Sequence, residues 1–508
     1  MTESSTYLVA EADLPALRAA VSRLAGLGYN EVRVRERLGL ADLNDLWWRA
    51  LPIYRAERLA DRDPLASAID LFQLQGVISS EELDRLFESA AREVLVRTGL
   101  IVVDESGFAR ARAGLFPVGD RLVFSDHAWP NLPHPGQAEA RHDQVMYVGT
   151  DSRWLARATV RRPVAAALDL CTGSGVHALL AAPHAQKVVA VDINPRAAQC
   201  ARFNAQLAGA DNIEIAVGSL FEPVQGRRFG LITANPPFVP SPLDAVGFRD
   251  GGRSGEEALR QIVAGLPLYL ERGGIAQIVT ELGERENEPL ADRLREWLGG
   301  APLDIHVLRL RTHSAATYAV GHAHRNETLG AYFEAVHEWA ANLKSQGYVR
   351  IVSALLAFKW SDPALNAPWT RTEDAQPPLS DAGSEVEATF LAEYLSRKPN
   401  LRDLLERRSL RRAGPIGLIE TRILGKTSAT KTQAQLLGMR IPISHWLDAT
   451  EREVALLLQE PLAWHDLLEL ARGLSLDEEA VTAAVASLLR RRLLLLSAVD
   501  PPALPGQK

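Results

Sequence analysis

The sequence predicts an α/β chain built on a seven-stranded, doubly wound sheet, with a mainly helical segment on either side of it. Three observations carry this. From about Arg141 short apolar runs alternate with helical patterns, the mark of a parallel sheet with crossover helices. The first of those runs passes directly into a glycine-rich loop, Cys171-Thr172-Gly173-Ser174-Gly175. Before and after this block the pattern is helical and closes each time on short extended runs.

Composition sets the limits. At 508 residues and 47% apolar content the chain can bury two or three cores, and 23% charged residues argue against wholesale disorder. A net charge of -7 argues against a uniformly basic coat, while leaving room for a local basic patch. The two cysteines, Cys171 and Cys200, offer neither a disulfide framework nor a metal cluster, so no metal is expected. The start, Met1 to Ser5, lacks the basic and apolar regions of a signal peptide. No apolar run approaches the roughly 18 residues that span a bilayer. A soluble, cytoplasmic protein without a membrane partner is expected.

Residues 1–140 read as a mainly helical, winged-helix-like domain. Leu14, Leu17, Val21, Leu24 and Leu27 recur at helical spacing until Gly26 and Gly28 stop the run. Trp47, Trp48 and Tyr54 sit on a second helical block and are expected in its core. Ser79 and Ser80 precede Glu81-Glu82, an N-cap pattern for a helix reaching about Thr98. Two extended runs, 100–103 and 121–124, follow as a hairpin, and the proline-rich stretch Trp129 to Gly136 reads as a linker.

Residues 141–365 form the predicted sheet domain. Its strands are expected at 166–170, 187–191, 213–217, 229–234, 274–280, 305–310 and 349–360, with a long helix around 328–346 before the last. A second linker is expected over 361–385. The segment 366–508 reads as a basic and winged-helix-like domain. Between Arg397 and Arg440 eleven Lys/Arg stand against three acidic residues, a local net of +8. Thr450 with Glu453 and Ser475 with Glu478 resemble capping boxes, and Leu493 to Leu496 reads as a strand. Arg490, Arg491 and Arg492 fall near the end of the second helix.

The chemistry lies in the central block. Glycines at 173 and 175 let a cofactor approach the loop, and Asp169 at the end of the strand is placed to accept hydrogen bonds from it. Asp192 closes the next strand, where a carboxylate can take both hydroxyls of a ribose. Asn235-Pro236-Pro237-Phe238 follows the strand 229–234, beside the first loop on the same sheet edge. A planar NH2 group is a poor nucleophile because its lone pair is conjugated. The Asn235 side-chain oxygen and the Pro236 carbonyl can hold its two hydrogens and aim the nitrogen. Pro236 and Pro237 rigidify that turn, and Phe238 offers a flat face for stacking.

In this order the motifs resemble the class I S-adenosylmethionine-dependent N-methyltransferases, and within them the small-domain group. That group holds release-factor glutamine methyltransferases and ribosomal and transfer RNA base methyltransferases; DNA amino-methyltransferases share the tetrapeptide. The resemblance implies a Rossmann-like methyltransferase sheet. It implies S-adenosyl-L-methionine as cofactor, held at Asp169, Cys171, Thr172, Gly173, Ser174, Gly175, Asp192, Ile193, Ser219, Leu220 and Asn235. It makes Asn235, Pro236, Pro237 and Phe238 the catalytic turn. Residues 248–255, Phe-Arg-Asp-Gly-Gly-Arg-Ser-Gly, resemble the glycine-paired segment of the glutamine-modifying branch. Three departures stand out. Serine occupies position 219 where an acid is common, Cys171 stands where glycine is usual, and Phe238 replaces the tyrosine of the glutamine-modifying branch. The last tilts the expectation toward an exocyclic amine of an RNA or DNA base. Nucleic acid is then the expected partner, contacted by Arg407, Arg408, Arg411, Arg412, Arg490 and Arg491. The alternative is glutamine N5-methylation of a release-factor-like protein.

Overall fold

A computed structural model describes residues 7–127, 143–243, 247–323, 328–365, 367–375, 379, 382–398, 401–423, 429–437 and 444–496. The stretch 129–136 and Arg440 lie outside the described residues. The central sheet contains β1 (Val164–Leu170), β2 (Ala185–Asp192), β3 (Ile213–Val217), β4 (Phe229–Ala234), β5 (Leu270–Glu284), β6 (Leu303–Ser314), β7 (Arg350–Trp360) and β8 (Thr370–Asp374). Their spatial order is β8-β6-β7-β5-β4-β1-β2-β3. β3, β2, β1, β4 and β5 run parallel, and β7 pairs antiparallel with β5.

The sheet therefore has eight strands where seven were expected. β8 lies in the stretch read as a linker. Thr-Arg-Thr-Glu-Asp has no apolar alternation, and its one buried residue is the charged Glu373. It is a strand because its backbone pairs parallel with β6, from Ile305↔Thr370 to Arg309↔Asp374. The inner strands behave as their Val/Ile/Leu/Ala runs require: Leu168, Val189 and Ile232 are fully buried, as expected of strands covered on both faces.

Chain order reverses direction at β1, with β2 and β3 on one side and β4 and β5 on the other. Such a switch point opens a crevice beyond the carboxyl ends of the strands. The helices that matter there are α1 (Thr150–Ala158), α2 (Val176–Ala181), α3 (Pro195–Ala208) and α4 (Glu257–Tyr269). The pair α5 (Ala315–His322) and α6 (Leu329–Ser345) lies between β6 and β7 in sequence.

The chain packs as two compact units, residues 1–301 with 311–359, and 302–310 with 360–508. In the first, a helix over Leu14–Gly26 packs as its periodicity predicts, burying Leu14, Leu17 and Leu24. Ser79 and Glu82 form a reciprocal capping box opening the helix Ser80–Leu86, and a second helix, Ser89–Arg97, ends at Thr98. Trp47 and Trp48 depart from the core expectation: they are 56% and 36% exposed, with the Arg49 guanidinium over both rings, whereas Tyr54 is buried.

In the second unit the helix starts lie two residues from those read off the sequence. Asp448 caps the helix Ala449–Leu457 in a box with Glu451, and Asp477 caps Glu478–Arg490. A buried ionic cluster ties this unit together. Glu373 accepts from His306 Nε2 (2.9 Å) and pairs with Arg492 (3.5 Å), and Arg371 bridges Glu373 and Glu393. The hydrogen bond from His306 and the charges of Arg492 and Arg371 hold the Glu373 carboxyl far below the usual range despite its burial.

Candidate active site

The loop after β1 turns through three left-handed residues, Cys171 (φ +54°), Gly173 (φ +55°) and Gly175 (φ +81°). A Cβ at Gly175 would lie 3.1 Å from Cα and Cβ of Ala201, so this glycine lets the loop lie on α3. A Cβ at Gly173 would meet nothing within 4 Å, leaving the crevice side of the loop open. At Cys171 the same backbone carries a side chain, which costs about 1–2 kcal/mol relative to an unstrained residue. Cys171→Gly is therefore expected to raise the unfolding free energy by up to ~1 kcal/mol in urea denaturation. The gain stays below the full strain because glycine loosens the unfolded chain.

Asp169 is buried, and its carboxylate holds the loop itself. It accepts from the Thr172 hydroxyl (2.6 Å), the Thr233 hydroxyl (2.8 Å) and the Ala178 amide (3.2 Å). Burial pushes its pKa up to about 6. Asp192 accepts from the Gly173 amide (2.8 Å) and the Asn194 amide (2.9 Å), so the end of β2 is stitched to the loop. Burial raises the pKa of its carboxyl as well. Beside it Ile193 is 71% exposed, and Ser219 and the left-handed Leu220 follow β3 half-buried. The acid missing at position 219 stands at Glu222, whose carboxylate caps the Ser219 amide (3.2 Å).

Asn235 follows directly on β4. Its Nδ2 donates to Asp151 Oδ2 (3.1 Å) and Ser152 Oγ (3.2 Å), with Met146 Sδ at 3.9 Å. Its Oδ1 is buried without a hydrogen-bond partner in the structure. An acceptor with nothing to accept is what capture of an incoming N–H donor requires. Burial pushes the Asp151 carboxyl up. Glu281 of β5, raised likewise by burial, accepts from the Tyr318 hydroxyl (2.6 Å) and the Ser353 hydroxyl (3.0 Å).

The turn that follows is braced backbone to backbone. The Val239 amide donates to the Arg249 carbonyl, and the amides of Gly251 and Ser241 donate to the carbonyls of Val239 and Gly252. A Cβ at Gly251 would lie 2.7 Å from the Pro237 carbonyl oxygen, and one at Gly255 2.4 Å from that of Phe238. The glycine pair thus lets the segment after the tetrapeptide clamp it. From the far side, Asn342 of α6 donates to the carbonyls of Pro240 (3.2 Å) and Arg253 (3.0 Å). The Tyr348 hydroxyl reaches the Ser254 carbonyl (3.0 Å). Phe238 packs against the apolar cluster of Val239, Tyr318, Trp339 and Leu343. The phenylalanine at this position thus meets an apolar cluster.

The sequence reading located Asp169, the loop, Asp192 and the tetrapeptide, and the fold brings all of them to one edge of the sheet. It missed Met146, Asp151, Ser152, Glu281 and Tyr318. Thr150-Asp151-Ser152 carries a signal, an acid in the first turn of a helix, but no spacing links it to a residue 84 positions away.

Two of the six basic residues assigned to nucleic acid, Arg412 and Arg491, are engaged by the protein. Arg412 donates to the carbonyls of Ala455 (3.0 Å) and Leu456 (3.3 Å) at the end of a helix. Arg491 binds Glu451 (2.8 Å) and the Trp446 carbonyl (2.6 Å). Nearby, Arg397 pairs with Glu393 and Arg402 with Glu478. Arg407, Arg411 and Arg490 are exposed and Arg408 is half-buried. The local +8 overstated the free charge because the neutralising acids lie outside the counted window. Among the described residues, no group of three or more His, Cys, Asp or Glu could hold a metal ion, and no helix is long and apolar enough to cross a membrane.

Comparison with known proteins adds to this. A family model of the methyltransferase small domain matches residues 148–297. A putative protein N5-glutamine methyltransferase of Methanocaldococcus jannaschii is 36% identical over 154 residues, covering 28% of this chain and 77% of that protein. A release factor glutamine methyltransferase of Geobacter sulfurreducens is 38% identical, covering 29% of this chain and 54% of that protein. A ribosomal protein uL3 glutamine methyltransferase of Bordetella pertussis is 35% identical, covering 30% and 56%. The chain thus spans little more than half the length of the last two. These relatives overturn the expectation of a nucleobase substrate and of a nucleic-acid partner, since each is named for a glutamine in protein.

Proposed function

Because the chain belongs to the small-domain group of class I S-adenosylmethionine-dependent N-methyltransferases, we propose that it methylates the side-chain amide nitrogen of a glutamine in a protein. The observation that carries this reading is the unpartnered, buried Oδ1 of Asn235, the first residue of the braced tetrapeptide, in a chain whose relatives are named for glutamine.

The cofactor of this family supplies a methyl group already activated on a sulfonium sulfur. The open, left-handed loop of residues Cys171 to Gly175, the Asp192 carboxylate, and the flanking Ile193, Ser219 and Leu220 would hold it. Asp169 keeps that loop in shape through Thr172, Thr233 and the Ala178 amide. Asn235 Oδ1 accepts one hydrogen of the substrate NH2 and the Pro236 carbonyl the other. The nitrogen lone pair is thereby turned toward the methyl carbon, and positive charge developing on nitrogen faces two acceptors. Pro236 and Pro237 hold the carbonyl in place and Phe238 flanks the turn; as the N–C bond forms, the S–C bond of the donor would break with its electron pair leaving on the neutral thioether, and one amide proton would pass to water.

The segments 1–140 and 366–508 flank the catalytic domain, 141–365, and in this reading they dock the protein that carries the glutamine. A winged-helix-like form for both is supported by the order helix, strand, two helices and then two strands in 64–111 and one in 449–496. A cytoplasmic location accords with a substrate of that kind. The test is transfer of a labelled methyl group from S-adenosylmethionine into separated fractions of a host lacking this protein. Label is expected in protein, and label confined to RNA or DNA contradicts the reading.

A further inference from the structure

An asparagine side chain can present either its oxygen or its NH2 group to a substrate, because a 180° flip exchanges the two with little change in shape. Only one orientation serves here. Turned the other way, Asn235 would set its own NH2 against the NH2 of the substrate amide, donor against donor. Something must hold the flip, and it lies on the first turn of α1. One acceptor, Asp151 Oδ2, stands 3.1 Å from Asn235 Nδ2, and another, Ser152 Oγ, stands at 3.2 Å. The two oxygen acceptors match the two hydrogens of that group, with Met146 Sδ a weaker third contact at 3.9 Å, and Oδ1 remains without a partner.

We propose that Asp151 and Ser152 are positioning residues that lock the Asn235 amide with its oxygen toward the substrate; this rests on the reading of Asn235 as the acceptor for a glutamine amide. Asp151 contributes more, because a carboxylate is an acceptor and a hydrogen bond to it is about twice as strong as one between neutral groups. A flipped Asn235 would set its oxygen against that carboxylate. The charged neighbours leave the Asp151–Asn235 bond in place. Arg153 on the same helix is buried, and Glu281 on β5 is taken up by Tyr318 and Ser353. At the N-terminus of α1, Gly149 leaves room for the carboxylate, since a Cβ there would lie 2.9 Å from Asp151 Oδ1. At its far end the Gln277 side chain donates to the Ala158 carbonyl (2.7 Å) and accepts from the Val160 amide (2.7 Å). Helix, carboxylate and asparagine thus form one rigid path from the sheet to the reacting nitrogen.

The test uses the full-length enzyme with S-adenosylmethionine and a glutamine-containing substrate protein. Asp151→Ala is expected to lower kcat roughly 10–100-fold with KM for the cofactor within about threefold. Asp151→Asn can still turn its amide oxygen to Asn235 Nδ2 and is expected to recover most of that loss. Ser152→Ala should cost only a few-fold. An independent readout follows the side-chain NH2 of Asn235 by NMR, without substrate. Its hydrogens should exchange slowly with water in the wild type and rapidly in Asp151→Ala. Wild-type kcat in Asp151→Ala, or unchanged amide exchange, overturns the proposal. So does an Asp151→Asn variant as inactive as Asp151→Ala, which would make the charge rather than the hydrogen bond the active property. If the wild type methylates no glutamine, the substrate reading fails, and the exchange measurement alone decides the positioning role.

Discussion

Replacing Asn235 by alanine is expected to lower turnover by roughly 10²–10³-fold, the usual cost of removing one preorganised acceptor or donor from a transition state. The argument is geometric. The substrate amide must give both hydrogens to acceptors before its lone pair can leave conjugation and point at the methyl carbon. The Pro236 carbonyl belongs to the backbone and survives the substitution; the Asn235 oxygen does not. Alanine also strands Asp151 and Ser152, which each lose a donor. Cofactor affinity should change less than about threefold, because the loop of residues 171–175 is held by Asp169 and Asp192. Single-turnover kinetics with calorimetric titration of the cofactor separates the two quantities. Equal losses in both would place Asn235 in cofactor binding alone.

The second large effect is expected at a residue that touches no substrate. Gly255 has φ +75°, and a Cβ there would lie 2.4 Å from the Phe238 carbonyl oxygen and 2.9 Å from the Pro240 nitrogen. Neither can move aside easily. Val239 and Ser241 are joined to Arg249, Gly251 and Gly252 of the bracing segment by main-chain hydrogen bonds, and Asn342 grips the Pro240 carbonyl. Gly255→Ala therefore has to displace the catalytic turn or strain its own backbone. Turnover is expected to fall about 100-fold, with roughly 2–3 kcal/mol lost in stability. Gly299→Ala is the control. That glycine also has a left-handed φ (+59°), but its Cβ would meet nothing within 4 Å. It should lose about 1 kcal/mol and no activity, so the difference between the two variants isolates the clamp.

What could be read from the chain, and what could not, follows from the range of the interactions involved. β1, β2 and β4 were visible because a buried parallel strand must be a short apolar run, and the edge strand β3 because Ile213, Ile215 and Val217 alternate. Leu168-Asp169-Leu170 and Phe229 to Ala234 are such runs, and the loop and the tetrapeptide follow them directly. β8 was invisible because its five residues are polar and it is held by pairing with β6 and by buried ion pairs of Glu373. The capping boxes missed their true positions because Asp448 and Thr450 both stand three residues before a glutamate, and only the structure shows Asp448 accepting the amide. Asp151 escaped notice for a different reason: its importance exists only through contact with a residue 84 positions away. The basic segment misled in the opposite direction. Counting charge along the chain sees Arg397, Arg402 and Arg412, but it cannot see Glu393, Glu478 or the helix end that binds each of them.

The central claim is that Asn235 and Pro236 present a glutamine amide for methylation. The most direct measurement is mass-spectrometric localisation of the methyl group on a protein labelled by the wild-type enzyme, set beside the Asn235→Ala reaction. The account predicts a mass gain of one methyl on the side-chain amide of a glutamine, recovered as N5-methylglutamine after enzymatic digestion and absent with Asn235→Ala. A methyl group found on a nucleobase, or on a lysine or arginine side chain, would contradict it.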